Sequence, residues 1–189
     1  MFSDELRKIF AGFTTKAGKF LGRLGLTANF VTLLVFVTGV IAAYYIYIGT
    51  LWLGIVFFIL SGIFDGLDGA VAKANNKETK FGGVLDSTTD KITEILVYLA
   101  FGLYNPTLWL PASLAISFFM LSSYISERAR TAGGRSGGGL MERKERLILI
   151  ILGLVFPSLT VYVLYIIAVG SLFTAIQRFL KNYKILSQI

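Results

Sequence analysis

Long apolar stretches alternate with short polar breaks along nearly the whole chain, and most stretches approach the roughly 20 residues a helix needs to cross a bilayer. The pattern predicts six such helices. The first runs from about Thr27 or Asn29 to Gly49, the second from about Thr50 through Gly66 to Ala74, and the third from about Phe81 to Gly102. Tyr104-Asn105-Pro106 reads as a turn, after which the fourth helix runs from about Pro106 to Arg130. Gly133 to Gly139 reads as a flexible loop. The fifth helix, Glu142 to Phe156, is at the lower edge of a span. Pro157-Ser158 then turns the chain into the sixth, about Leu159 to Leu180.

Ahead of these spans the pattern changes. From Ser3 to Leu24, apolar Leu6, Ile9, Phe10, Phe13 and Phe20 are interleaved with basic residues in a helical rhythm, with Ser3 placed to cap and Asp4 and Glu5 in the first turn. The reading is an amphipathic helix, either lying in the membrane interface or packed on the domain that follows. The expected organisation is a juxtamembrane helix over residues 1–25 and one membrane domain over 26–189: an all-α integral membrane protein of six transmembrane helices preceded by an amphipathic interfacial helix. Met1 to Gly25 lacks the apolar core and small-residue site of a cleavable leader, so the first span is expected to remain in the mature protein.

Composition agrees. The 189 residues are 55% hydrophobic and 15% charged, with a mean hydropathy of +0.72, outside the range of ordinary soluble domains. The net charge of +7 raises nucleic acid as a partner, but no basic stripe interleaved with aromatics occurs in a soluble region, so none is expected. Without cysteine or histidine, thiolate and imidazole chemistry are excluded, and acid–base work falls to carboxylates, Lys or Tyr.

Charge placement fixes the topology. Every Lys and Arg falls in Arg7–Arg23, Lys73–Lys91, Arg128–Arg146 or Arg178–Lys184, while the connections near Thr50, Asn105 and Pro157 carry none. With six spans the charged segments share one side, and by the positive-inside tendency that side is cytoplasmic, as are both termini. The carboxylates follow the same partition.

One charged segment interrupts the apolar rhythm. Asp65 and Asp68 are spaced i, i+3, and Asp86 and Asp90 are spaced i, i+4, so each pair shares a face if its flanking helix continues. A lone aspartate at a membrane boundary ordinarily sits in water among headgroups. Four beside helix-lining glycines are another matter, at about 2.5 to 3.5 kcal/mol each on insertion scales. Gathered at one spot they repel, and either protonate or collect cations. Hard oxygen donors without nitrogen or sulfur suit Mg²⁺ or Mn²⁺, as one ion or as two that clamp a diphosphate.

Written out, the segment is Asp65-x-x-Asp68-Gly69-x-x-Ala72-Lys73, eight residues, then Gly82-x-x-x-Asp86-x-x-x-Asp90. It resembles the signature of the CDP-alcohol phosphotransferases, membrane enzymes that make phospholipids from CDP-activated precursors. Lys73 stands where the family has Arg, which keeps the charge and loses the forked donor. The resemblance implies that Asp65, Asp68 and Asp86 ligate metal, and that Asp90 is the base and touches the second ion. It also implies that Gly69 and Gly82 admit a nucleotide to the helix backbone, and that Lys73 and Thr79 contact it. Gly83 and Lys77 read as structural glycine and ordinary membrane-flanking lysine. Thr27-Ala28-Asn29-Phe30-Val31-Thr32 resembles the family's Thr-Pro-Asn-x-x-Thr helix start, which sets Asn29 and Thr32 as nucleotide contacts or, the plainer role, helix caps. Glu94, a turn beyond Asp90, extends the site or pairs with Lys91 or an arginine, and the pair is favoured. A homodimer with separate sites is a further implication of the family.

A second polar constellation spans Ser126 to Arg146. Arg128, Arg143 and Arg146 bracket the glycine loop, and Arg143 and Arg146, spaced i, i+3, can converge on one anion. They suggest a second, phosphorylated substrate, although single arginines near headgroups are common. Glu142-Arg143-x-Glu145-Arg146 resembles the inositol-phosphate-using branch, which makes phosphatidylinositol phosphate or its archaeal ether-lipid counterpart. The expected reaction joins a CDP-linked lipid to that acceptor with release of CMP. Glycerol 3-phosphate is the alternative acceptor, and an aspartate-rich prenyltransferase is a more distant one. A divalent-cation transporter is disfavoured, because the far half of the spans is bare of charge.

Overall fold

The computed structural model describes residues 17–18, 20–21, 25–75 and 79–187. Six helices of α type follow the predicted order: α1, Ala28–Tyr47; α2, Leu51–Ala74; α3, Lys80–Tyr104; α4, Trp109–Thr131; α5, Arg143–Val155; and α6, Thr160–Leu186. No strand occurs among the described residues. The predicted boundaries hold to within a few residues except at α6, which continues as helix from Leu180 to Leu186. Of the N-terminal amphipathic helix, Ala17, Gly18, Phe20 and Leu21 are helical, and the positions from Ser3 to Lys16 lie outside the described residues.

Turn chemistry sets the breaks. Gly49 takes the left-handed backbone (φ 78°) that ends α1, with its N–H on Ile46 O. Asn105 Oδ1 accepts from the Thr107 N–H at 3.0 Å and so caps the short 3₁₀ turn Pro106–Leu108. A second 3₁₀ turn, Pro157–Leu159, joins α5 to α6. Glu142 and Glu145 form a reciprocal capping box at the start of α5.

Among the described residues, four helical segments are long and apolar enough to cross a membrane: Ala28–Tyr47, Leu51–Lys73, Pro106–Thr131 and Pro157–Leu186. The other two helices fall short for separate reasons. α3 has the length, but it carries Lys80, Asp86, Asp90, Lys91 and Glu94. α5 has only 13 residues, a rise of about 20 Å.

The chain resolves into two compact units, Met1–Tyr45 with Val56–Val97, and Ile46–Ile55 with Tyr98–Ile189. In the first, Val31, Leu67 and Val71 form a buried cluster joined by Ala17, Leu21, Ala28 and Phe64. Gly18 passes so close to α2 that a methyl there would lie 2.7 Å from the Ala70 carbonyl carbon. Gly39 of α1 meets Thr93 of α3 as tightly, at 2.5 Å, and Ser61 Oγ donates to Val35 O at 3.0 Å. Lipid does not drive apolar side chains together, so such small-residue approaches and internal hydrogen bonds carry the packing. In the second unit α4 and α6 pack along their lengths, burying Ala112, Ala115, Phe119 and Ser122 on one and Leu164, Ile167, Ser171 and Thr174 on the other. α5 packs on α6, with Thr160 Oγ1 donating to Gly153 O at 2.7 Å.

Candidate active site

The first unit holds a cavity of about 200 Å³ built by three helix ends. Ala28, Asn29 and Thr32 come from the first turns of α1, Asp68, Gly69 and Ala72 from α2, and Thr79, Gly82, Gly83 and Asp86 from the start of α3. Two helix N-termini, those of α1 and α3, therefore border one space, and each brings unpaired backbone N–H groups and the positive end of its dipole. An anion is the natural occupant.

Caps decide which side chains face it. Thr27 Oγ1 accepts the Phe30 N–H at 3.3 Å and Thr79 Oγ1 accepts the Gly82 N–H at 2.9 Å. The expectation that Asn29 or Thr32 caps α1 is thus corrected: Thr27 does so, because the helix begins at Ala28, which places Asn29 and Thr32 within it and on the cavity. Thr79 spends a lone pair on its cap and keeps its O–H to donate. Gly69 and Gly83 have nothing within 4 Å of where a methyl would stand, so backbone is open to an occupant at both. Gly83, read from sequence as structural, belongs to this wall. Lys73 is exposed in the last turn of α2, outside the cavity lining, and Lys77 lies outside the described residues.

The four aspartates separate into two kinds. Asp65, Asp86 and Asp90, all half-buried, each present a carboxylate oxygen within 4.8 Å of the others, so they can hold one cation together. Coulomb repulsion at that spacing amounts to about 3 kcal/mol per pair at an effective dielectric of about 20, and a divalent ion among them reverses its sign. Three hard oxygen donors fit Mg²⁺ or Mn²⁺. Asp68 is buried and differently engaged: its Oδ2 accepts from Thr32 Oγ1 at 2.8 Å, and its Oδ1 accepts from the Gly69 N–H at 2.6 Å. Asp86 belongs both to the trio and to the cavity lining, and so links the metal set to the anion space. Glu94 is 3% exposed, while the Lys91 ammonium turns back to Ser87 Oγ at 3.2 Å.

The predicted arginines lie in the second unit and differ in setting. Arg128 is exposed at the end of α4. Arg143 is half-buried at the first position of α5. Arg146 is buried, its guanidinium 4.8 Å from the Phe119 ring centroid and donating to Met141 O at 3.4 Å. Arg178 was not singled out from sequence, yet it donates from Nε to Gly138 O at 2.8 Å and from Nη1 to Ser122 O and Oγ at 3.0 and 2.9 Å. The glycine segment expected to be flexible is therefore held: Gly137 donates to Ser126 Oγ, Gly138 to Glu142 Oε1, and Arg135 to Asn182 Oδ1. The available signal was a run of polar residues at helical spacing, Thr174, Gln177, Arg178 and Asn182, toward the end of a largely apolar helix.

Known proteins resemble this chain in sequence and fold. The model of the CDP-alcohol phosphatidyltransferase family matches residues 25–177. A phosphatidylinositol phosphate synthase of Mycolicibacterium smegmatis is 36% identical over 174 residues, covering 82% of this chain and 77% of that protein. An archaetidylinositol phosphate synthase of Pyrococcus horikoshii is 34% identical over 164 residues, covering 86% and 87%. Among solved structures, the Mycobacterium tuberculosis phosphatidylinositol phosphate synthase with CDP-DAG bound superposes with a TM-score of 0.83 at 31% identity, covering 90% of this chain and 93% of that one. The same enzyme with manganese and citrate gives 0.83 at 30% identity, covering 90% and 88%. With the family signature folded into a carboxylate trio beside a cavity bordered by two helix N-termini, the chain is a transferase that belongs to the CDP-alcohol phosphatidyltransferase family.

Proposed function

We propose that the protein transfers the phosphatidyl-type group of a CDP-linked lipid to a hydroxyl of inositol phosphate, releasing CMP. The observation that carries this reading is the joining of the carboxylate trio, through Asp86, to a cavity walled by two helix N-termini and open glycine backbone. The solved Mycobacterium tuberculosis relative was captured with CDP-DAG and, separately, with manganese and citrate, which supports both halves of that assignment.

Asp65, Asp86 and Asp90 would hold the divalent ion or ions, Mg²⁺ or Mn²⁺, with Asp68 contributing from its place beside Thr32. When bound, the metal supplies neutralisation of the diphosphate and of the departing CMP. Asn29, Thr32, Gly69, Thr79 and Gly82 border the nucleotide, Thr79 offering its hydroxyl proton and Gly69 its open backbone. Lys73 meets the nucleotide from the exposed end of α2. Asp90 accepts the proton of the acceptor hydroxyl as its oxygen bonds to the lipid-bearing phosphorus. The bond from that phosphorus to the bridging oxygen breaks, and CMP carries the electron pair away. Arg128, Arg143 and Arg146 recognise the acceptor's own phosphate, the forked donors suited to it.

The partition of Lys and Arg supports six membrane passes, with both termini and the site facing the cytoplasm, and a juxtamembrane helix over residues 1–25 ahead of the domain at 26–189. The family resemblance supports a homodimer with one site per subunit. The deciding experiment measures CMP release from a CDP-linked lipid with inositol phosphate, glycerol 3-phosphate or serine as acceptor. Inositol phosphate is expected to support turnover at least about tenfold above the others. A preference for glycerol 3-phosphate would reassign the acceptor.

A further inference from the structure

One face of α6 holds the backbone that leads into α5. Asn182, 5% exposed, accepts the Arg135 N–H at 2.8 Å and donates to Arg135 O at 3.0 Å, pairing with that residue on both sides as a neighbouring strand would. Its amide also donates to Arg178 O at 2.9 Å. Gln177 Oε1 accepts the Leu140 N–H at 3.1 Å. Thr174, fully buried, accepts the Met141 N–H at 2.8 Å and donates to Gly170 O at 2.8 Å. Side chains have no room where the loop meets this face: a methyl on Gly134 would stand 2.5 Å from Asn182 Oδ1, and one on Gly139 would run into Thr174.

The last of these ties, at Met141, is immediately followed by Glu142, whose capping box opens α5, and then by Arg143 as the first helical residue. A backbone anchored one residue before a helix cap fixes both the origin of that helix and its rotation about its axis. Arg143 and Arg146 inherit that placement, and Arg146 is further held because it donates to the carbonyl of the anchored Met141.

We infer that Thr174 and Asn182 are positioning residues for acceptor recognition: by clamping the loop at Met141 and Arg135 they set where Arg143 and Arg146 stand, without touching substrate themselves. The inference rests on the reading of those arginines as phosphate-binding groups. A clamp with that role has a signature that a purely structural one lacks, because it loosens one substrate and leaves the other alone.

The test uses the full chain reconstituted in lipid, with CMP release followed at varied inositol phosphate and at varied CDP-linked lipid. Thr174→Val keeps the shape and deletes the acceptor for the Met141 N–H. Asn182→Leu removes the whole clamp at Arg135, and Asn182→Asp keeps the Oδ1 acceptor while losing the two donated bonds. Thr174→Val and Asn182→Leu are expected to raise KM for inositol phosphate about tenfold, Asn182→Asp by less, with KM for the CDP-linked lipid and kcat changed less than about twofold. Arg143→Gln, run alongside, separates the two ideas. Flat KM in Arg143→Gln sinks the arginine reading and this inference with it. Raised KM in Arg143→Gln with flat KM in both Thr174→Val and Asn182→Leu overturns the inference alone, as does an equal loss toward both substrates.

Discussion

The aspartate site and the glycine loop solve the same problem in opposite ways. At the first, the proposed chemistry rests on side chains whose relative placement follows from helix periodicity, since the i, i+3 and i, i+4 spacings already put each carboxylate pair on one face. At the second, the backbone of an irregular segment leads into the helix that carries Arg143 and Arg146, and its geometry is imposed by Thr174, Gln177, Arg178 and Asn182 some forty residues away in sequence. Chemistry written into a repeat can be read directly. Chemistry held by a remote clamp cannot.

The sharpest way to test the first half of that contrast is Asp90→Asn. Removing the proton acceptor while keeping size and shape is expected to lower CMP release by about a thousandfold or more. The melting curve should remain that of the parent, and near-parent turnover would remove Asp90 as the base. Glycine substitutions come next, because they separate space kept for a ligand from space filled by protein. Gly139 has φ 139° and Thr174 against it, so Gly139→Ala should lower stability by about 1–3 kcal/mol in a thermal melt. Gly69→Ala, with nothing within 4 Å, should leave the melt unmoved and raise KM for the CDP-linked lipid. Equal destabilisation by both would erase the distinction. The smallest effect is expected from Thr32→Val, which deletes the hydroxyl on Asp68 and should cost about three- to tenfold in kcat/KM, in keeping with the net worth of one hydrogen bond.

Much of the fold was legible because membrane helices announce themselves by length and hydropathy, and because turn residues such as Gly49, Asn105 and Pro157 act locally. The aspartates were legible for the same local reason. What escaped was set by tertiary partners. The helix start moved the cap from Asn29 or Thr32 to Thr27, and Asp68, beside the carboxylate trio, takes a bond from Thr32, 36 residues away. Glycine richness suggested a flexible segment at Gly133–Gly139, since composition reports what a backbone is free to do and not what holds it. Arg178 sat unremarked among membrane-flanking cations until its donors were traced to Gly138 and Ser122.

The brevity of α5 bears on the proposal of six membrane passes. Its 13 residues rise about 20 Å where a bilayer's hydrocarbon is about 30 Å thick. Where that segment faces acyl chains, the bilayer must pinch inward or headgroups and water must follow the polypeptide down, at a fraction of a kcal/mol per Å of mismatch. Short-chain or loosely ordered membranes meet that demand easily and thick, sterol-stiffened ones do not.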